Sequence, residues 1–298
     1  MANSKKLILG EEQALEIFLK HYPETSMFLR SNLHNSGIEY KSDMPYYGEY
    51  FAQYNSSGEI QGVLAHYWNG NIMMQCPDPS MLNDLVHYFK SRCTRPICGI
   101  LGDERQAKIV IDLLEINPSS FTLNATDGLY QLELSKIIVP NKSTFGYQLK
   151  KAKYCDPYIL KKWLTDYHVE ALEADLSNPI SVESINNSIK DAFNRDDLWT
   201  LEHNNIPLSL CGFNASLPDI VQIGPVWTPV EYRNQGYARS VVALSLLEAK
   251  KKGIKQAILF TNNLAAERAY CSIGFKNVGE YRLAILKDKL FNEPEHSH

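Results

Sequence analysis

The residues of most chemical interest lie between Asp219 and Phe275. Ile220-Val221-Gln222-Ile223-Gly224-Pro225-Val226-Trp227-Thr228-Pro229 reads as a strand interrupted near its end by glycine and closed by proline. Both residue types spoil continuous pairing with a neighbouring strand, so this strand can splay. Shortly after it, Arg233-Asn234-Gln235-Gly236-Tyr237-Ala238 runs into an amphipathic helix whose inward face is Ala238, Val241, Val242, Ser245, Leu246 and Ala249. The last turn of that helix carries Lys250, Lys251 and Lys252 before Gly253, as the macrodipole and a glycine cap favour. Its first turn carries no Asp or Glu. A positive helix end with no acid on it, with Arg233 and Arg239 beside it and Gly236 allowing close backbone approach, suits a pyrophosphate.

One strand further on, Asn263-Leu264-Ala265-Ala266-Glu267-Arg268-Ala269-Tyr270-Cys271-Ser272-Ile273-Gly274-Phe275 sets Asn263 and Tyr270 two helical turns apart on one face. The elements V-x-T-P (from Val226), R-x-x-G-x-A (from Arg233) and N-x-x-A-x-x-x-Y-x-x-x-G-F (from Asn263), in this order, resemble the GNAT superfamily of acyl-CoA N-acyltransferases. The match is strong from Asp219 to Phe275 and weaker over the rest of the C-terminal half. The resemblance implies an α/β (α+β) fold with a mixed, mostly antiparallel sheet flanked by helices. It also implies acetyl-CoA as co-substrate and an amine of a small molecule or peptide as acceptor.

By that resemblance the backbone of Val226 and Thr228 pairs with the pantetheine arm, and the Val226-Trp227 region polarises the thioester carbonyl. Backbone N–H groups of Asn234, Gln235, Gly236, Tyr237, Ala238 and Arg239 cradle the pyrophosphate. Asn263 meets the pantetheine side of the coenzyme, and the Tyr270 hydroxyl protonates the departing thiolate. On a short helix Tyr270 also reads as a core aromatic.

An amine attacks only when neutral. Deprotonating an alkyl amine near pKa 10.4 at pH 7 costs roughly 4 to 5 kcal/mol, against about 1 for an α-amino group. Some members of the superfamily carry a Glu on the strand before the Asn, but here Gln256-Ala257-Ile258-Leu259-Phe260 has no acid. The candidates for a base are then Glu202, His203, His168 and Glu170, each of which also reads as a solvated or hydrogen-bonded surface residue. Trp227, Tyr232 and Tyr237 either shape an acceptor pocket or pack.

The elements that must position these groups follow from periodicity and turn chemistry. The first part reads as two helices (Glu12–Lys20, Thr25–Leu33), strands Tyr47–Tyr54, Ile60–Trp68 and Asn71–Cys76 with an Asn69-Gly70 hairpin turn, helix Met81–Lys90, a strand, and helix Glu104–Glu115. Asn117-Pro118-Ser119-Ser120 is the expected boundary. Beyond it come strand Leu129–Leu134, helices Pro157–Leu172 and Val182–Phe193, and strands Leu198–Glu202, Leu208–Phe213 and Ile220–Thr228. Helix Gly236–Lys252, strand Gln256–Thr261, helix Ala265–Ser272 and a strand near Tyr281–Leu286 follow. The halves share an order of elements, which suggests a divergent duplication. Residues 1–118 are expected to be a degenerate copy, because Gln75-Cys76-Pro77-Asp78-Pro79-Ser80 lacks R-x-x-G-x-A, and residues 119–298 the catalytic copy.

Thirty basic residues against 34 acidic ones, net -4, with no long run of either sign, argue against a nucleic-acid partner. No apolar stretch reaches the length of a membrane span or a signal-peptide core, and the six cysteines form no C-x-x-C pair, so a reducing cytoplasm without a metal site is expected. Cys76, Cys93 and Cys98 near His87 are spaced too loosely for a structural zinc site. An acetyl-CoA-binding sensor without turnover is the alternative to an enzyme, kept open by the missing base. A transferase using an aminoacyl-tRNA donor fits poorly with the pyrophosphate loop and the net charge.

Overall fold

The computed structural model describes residues 3–42, 44–141, 146–172 and 174–291. The chain groups into two compact units, one of residues 1–129 with 278–298 and the other of residues 130–277. This partition differs from the boundary expected after residue 118. Both units share an order of elements, and each is described on its own.

Unit 1 contains β1 (Asn3–Lys6), α1 (Glu12–Leu19), α2 (Met27–Ser36), β2 (Gly48–Tyr54), β3 (Ile60–Tyr67), β4 (Asn71–Gln75), α3 (Leu82–Arg92), β5 (Ile97–Asp103) and α4 (Glu104–Leu113). Pairing is antiparallel from β1 to β4 and parallel between β4 and β5. Alternation sends Tyr50, Val63 and Tyr67 to the face covered by α1 and α2, and Phe51, Leu64 and Met74 to the face covered by α3 and α4. The sheet continues onto the last strand of the chain, because Tyr281–Ile285 pair antiparallel with Gly99–Asp103. Ala284 and Leu286 complete the core behind α3 and α4.

Unit 2 repeats the pattern with β7 (Tyr147–Lys151), α5 (Pro157–Ala171), α6 (Pro179–Asn194), β8 (Leu198–His203), β9 (Ile206–Ser216), β10 (Ile220–Trp227), α7 (Tyr237–Lys251), β11 (Gln256–Thr261) and α8 (Leu264–Cys271). Its pairings run β7–β8–β9–β10 antiparallel and β10–β11 parallel, the same sequence of relations as in unit 1. A helix pair covers one face, where Leu160, Trp163 and Ile189 pack on Leu198, Leu210 and Trp227. α7 covers the other, with Val241, Val242 and Leu246 on Trp199, Phe213 and Val221. Of the inward face expected for α7, Ala238 is only half-buried, while Ser240 and Ala243 are buried as well. Two strands are longer than expected: β6 (Phe121–Glu133), whose Leu129 ends unit 1 and whose Tyr130 opens unit 2, and β12 (Lys276–Leu290), which changes units at Val278.

Within unit 1, Arg282 of β12 donates from Nε to Glu104 Oε2 at 2.6 Å, from a second nitrogen to Glu104 Oε1, and at 2.6 Å to Asn124 Oδ1. Both ends of the ion pair are 19% exposed. Burial pushes the Glu104 carboxyl up, but Arg282 and the Thr126 hydroxyl more than offset it, so its pKa lies below the ordinary value of a glutamate. A lowered carboxylate stabilises the fold above the unfolded-state pKa and loses that contribution as pH falls through the folded-state value. Arg282→Gln should therefore lower unfolding free energy at pH 7 by about 1 to 2 kcal/mol, and the deficit should shrink below about pH 4.5. Urea unfolding of both proteins across that range checks it. An unchanged midpoint at pH 7 would remove Arg282 as a fastener of β12.

Candidate functional site

Unit 2 owes its opening to how β10 leaves its neighbour. On one side β10 stays paired with β9 as far as Trp227↔Leu210. On the other, its parallel pairing with β11 runs only from Ile220↔Gln256 to Gln222↔Ile258. The register shifts at Gln222/Ile223 and again before Val226, around the cis Gly224-Pro225 peptide. Gly224 has φ +154°, and a Cβ there would come within 2.5 Å of Asn214 Nδ2, so the kink requires glycine. Past Gln222, the edge of β10 that faced β11 has no strand partner among the described residues, and an extended chain can pair with such an edge.

The end of that strand is braced. Ser209 Oγ donates to Trp227 O at 2.9 Å and shares a hydrogen bond with Thr228 Oγ1 at 2.8 Å. Arg233 Nε donates to Thr228 O at 2.9 Å, and its guanidinium stands 4.9 Å from the Trp227 ring centroid. Its remaining nitrogens pair with Glu170 at 2.7 and 2.9 Å. Arg233, expected beside the positive helix end, thus spends its side chain tying α5 to the end of β10. The Thr228 carbonyl is committed to it, leaving the Val226 backbone as the open part of the expected pantetheine contact. Ser209 was missed in the sequence, although a hydroxyl at 0% exposure between Leu208 and Leu210 is the sign of a buried polar tie.

Asn234 (φ 61°) and Gly236 (φ 86°, ψ 11°) turn the chain abruptly into α7. Among the described residues no side chain caps the helix and no acid occupies its first turn, which leaves its first N–H groups without a side-chain cap and its positive end without a carboxylate. Arg239 folds back over this turn: a Cβ on Gly236 would lie 3.0 Å from Arg239 Nε. That Nε is buried without a hydrogen-bond partner, as are Trp227 Nε1 and Gln222 Oε1. Among the described residues these are the orphaned buried side-chain atoms of unit 2, and all three lie along β10 and the start of α7. Tyr237 donates to Gln235 Oε1 at 3.0 Å, which shapes the loop.

Asn263 caps α8, its Oδ1 accepting from Ala265 N at 2.9 Å and Ala266 N at 3.1 Å. Only its amide nitrogen remains for a ligand, since the oxygen is spent on the cap. Tyr270 packs in the α7 core, 6.1 Å from the Phe275 ring. Burial raises its phenol well above the ordinary tyrosine value, and the neighbouring Cys211 and Tyr167 add to the rise. The Tyr270 hydroxyl therefore keeps its proton throughout the neutral range.

The four candidate bases make separate contacts. Glu202 is buried and paired with Lys150 at 2.6 Å. Glu170 holds Arg233. His203 bonds Gly146 O through Nδ1 at 3.0 Å and leans on Tyr147, whose ring in turn neighbours Tyr237 at 5.8 Å. Tyr232 completes this cluster 6.4 Å from Tyr237, whereas Trp227 is buried against α5 and α6. His168 bonds Leu164 O through Nδ1 at 2.7 Å and lines a cavity of about 140 Å³ that reaches Pro225 of β10. Among the described residues no three His, Cys, Asp or Glu side chains are grouped to hold a metal, and no helix is long and apolar enough to cross a membrane.

No protein-family model matches the chain, and no curated protein matches it in sequence. Solved structures do match. A GCN5-related N-acetyltransferase from Kribbella flavida aligns over 88% of this chain and 94% of its own at TM-score 0.55 and 12% identity. One from Sphaerobacter thermophilus aligns over 98% and 96% at 0.53 and 12%, and a GNAT-family acetyltransferase from Colwellia psychrerythraea over 96% and 100% at 0.51 and 12%. With its splayed β10, uncapped α7 and mostly antiparallel sheet between helices, the chain has the fold of the GNAT acetyltransferases.

Proposed function

We propose that the protein is an acetyltransferase that binds acetyl-CoA in unit 2 and moves the acetyl group onto an amine of a small molecule or peptide by direct attack on the thioester. The start of α7 carries this reading, with its bare N–H groups, left-handed Gly236 and partnerless Arg239 Nε at the foot of a strand that has parted from its neighbour. A pyrophosphate would satisfy both the positive end and the orphaned guanidinium nitrogen. Asn234 to Arg239 would hold it, and the free edge of β10 at Val226 and the amide of Asn263 would take the pantetheine. Acetyl-CoA would supply the activated acetyl group.

The corresponding turn of unit 1 is built against an anion. Between β4 and α3, Asp78 accepts from Ser80 N at 3.0 Å and Ser80 Oγ at 2.7 Å, and Asp84 lies in the first turn of α3. Two carboxylates there oppose a phosphate, which supports the reading of unit 1 as a degenerate copy and of unit 2 as the catalytic one.

By the resemblance to the superfamily, Tyr270 would be the donor to the leaving sulfur. Its raised pKa places complete transfer to a thiolate, ordinarily near 8.5, uphill, so it acts through a hydrogen bond that strengthens as charge gathers on sulfur. The buried Ser209 and the ion-paired Arg233 and Glu170 keep the end of β10 in place while this happens.

Acetyl-CoA at about 100 times its dissociation constant should stabilise the protein by about 2.7 kcal/mol. Calorimetry should return one site per chain; two sites would contradict the assignment to unit 2 alone. Gly236→Glu should abolish the thermal shift, because it places a side chain on Arg239 and a negative charge at the helix end. A shift that survives the substitution would relocate the coenzyme.

Tyr270→Phe should keep acetyl-CoA affinity and lower turnover roughly 10- to 1,000-fold, the scale of one donor at a developing charge. Turnover equal to wild type, with chemistry shown to be rate-limiting, would assign Tyr270 to packing alone.

A further inference from the structure

We propose that His168 is the general base of the transfer and that the cavity beside it selects weakly basic amines, of the α-amino kind, over alkyl amines. The proposal rests on the acetyltransferase reading above and adds the acceptor class and the missing base to it.

The tautomer comes first. His168 Nδ1 lies 2.7 Å from Leu164 O, one turn back along α5. A carbonyl oxygen only accepts, so Nδ1 carries the hydrogen and Nε2 of the neutral ring is left with a lone pair. The Leu164 bond also fixes the orientation of the ring, as a base requires.

The cavity supplies the second observation. His168 lines it together with Tyr167, Ser188, Arg195, Asn214 and Pro225. Its volume of about 140 Å³ accommodates a group of roughly benzene size. Burial pushes the Tyr167 phenol up to about 12, so it offers a hydroxyl and no charge. The charge of Arg195 is met by Asp197 at 2.7 Å. Among the described residues lining the cavity there is no carboxylate, so nothing there favours a permanently charged ammonium. Glu202, Glu170 and His203 are engaged elsewhere.

The cavity reaches β10 at Pro225. Pro225 belongs to the kink of β10 immediately before Val226, the backbone edge assigned above to the pantetheine. In the transfer, the amine nitrogen forms its bond to the acyl carbon and the carbon–sulfur bond breaks. The electron pair of that bond leaves on sulfur, which is hydrogen-bonded by Tyr270 and protonated from solvent. The surplus proton on nitrogen passes to His168 Nε2 and from there to water.

An α-amino group is neutral roughly 10²-fold more often than an alkyl amine at neutral pH, because their ordinary pKa values differ by about 2.5 units. Glycinamide and propylamine are probes of similar size that differ in this respect. At pH 7.5 the wild type should use glycinamide with kcat/KM roughly 10²-fold above propylamine. His168→Asn should lower the glycinamide value by roughly 10²- to 10⁴-fold while keeping the thermal shift with acetyl-CoA.

A readout independent of the coenzyme is nitrogen-15 NMR of the histidine side chains, with the His168 signals identified by their loss in His168→Asn. At pH 8 it should show the Nδ1–H tautomer. The Nε2–H tautomer, a preference for propylamine, or full activity in the variant would each overturn the proposal, as would turnover of neither amine by a protein that shifts with acetyl-CoA. Absence of that shift in the wild type would overturn the transferase reading itself, and this one with it.

Discussion

The departure of β10 from β11 after Gln222 is the constraint on which the other features of unit 2 depend. Parallel strands normally continue as long as their backbone groups can pair, because an unpaired buried amide is costly. Here the Gly224-Pro225 kink removes one donor and misaligns the rest, while β9 keeps hold of the other edge to Trp227. The result is an open backbone edge inside a packed unit, and the surrounding side chains are arranged to keep it open. Asn214 fills the place where a side chain on Gly224 would be, and Ser209 takes up the Trp227 carbonyl.

The two arginines of the loop divide the work by geometry. Arg233 is held by a carboxylate, a carbonyl and an aromatic face, so its charge is spent on structure. Arg239, in the first turn of α7, has a buried Nε with no partner and lies over Gly236. An orphaned donor of this kind costs on the order of 1 to 3 kcal/mol unless something accepts from it. Such a cost is tolerable at a site that a ligand completes, and the same holds for the empty N–H groups of the first turn of α7.

The two units show how one arrangement of elements can serve different ends. The same order of helices and strands and the same pairing relations recur, including a parallel pair after three antiparallel ones. In unit 1 the turn into α3 carries Asp78 and Asp84, where unit 2 has Gly236 and an acid-free first turn. The two helix starts thus differ in charge, while the order and pairing of the elements around them are the same.

Read without a structure, the sequence already determined most of the elements and the loop that matters. Helical spacing, the Asn69-Gly70 turn, the Gly-Pro break in β10 and the acid-free start of α7 are short-range signals, written within a few residues of the feature that they produce. The strands β1 and β7 escaped, because Asn3-Ser4-Lys5-Lys6 and Tyr147-Gln148-Leu149-Lys150-Lys151 are short polar edges that become strands only through β2 and β8. Tertiary structure alone decided that β12 completes the sheet of unit 1 and that Arg233 faces Glu170. It alone decided that Ser209 ties Thr228 and that His168, among four candidates, lines a cavity at the kink. Each of these is a meeting of residues far apart in the chain, and the periodicity of one segment carries no record of which distant segment it will touch.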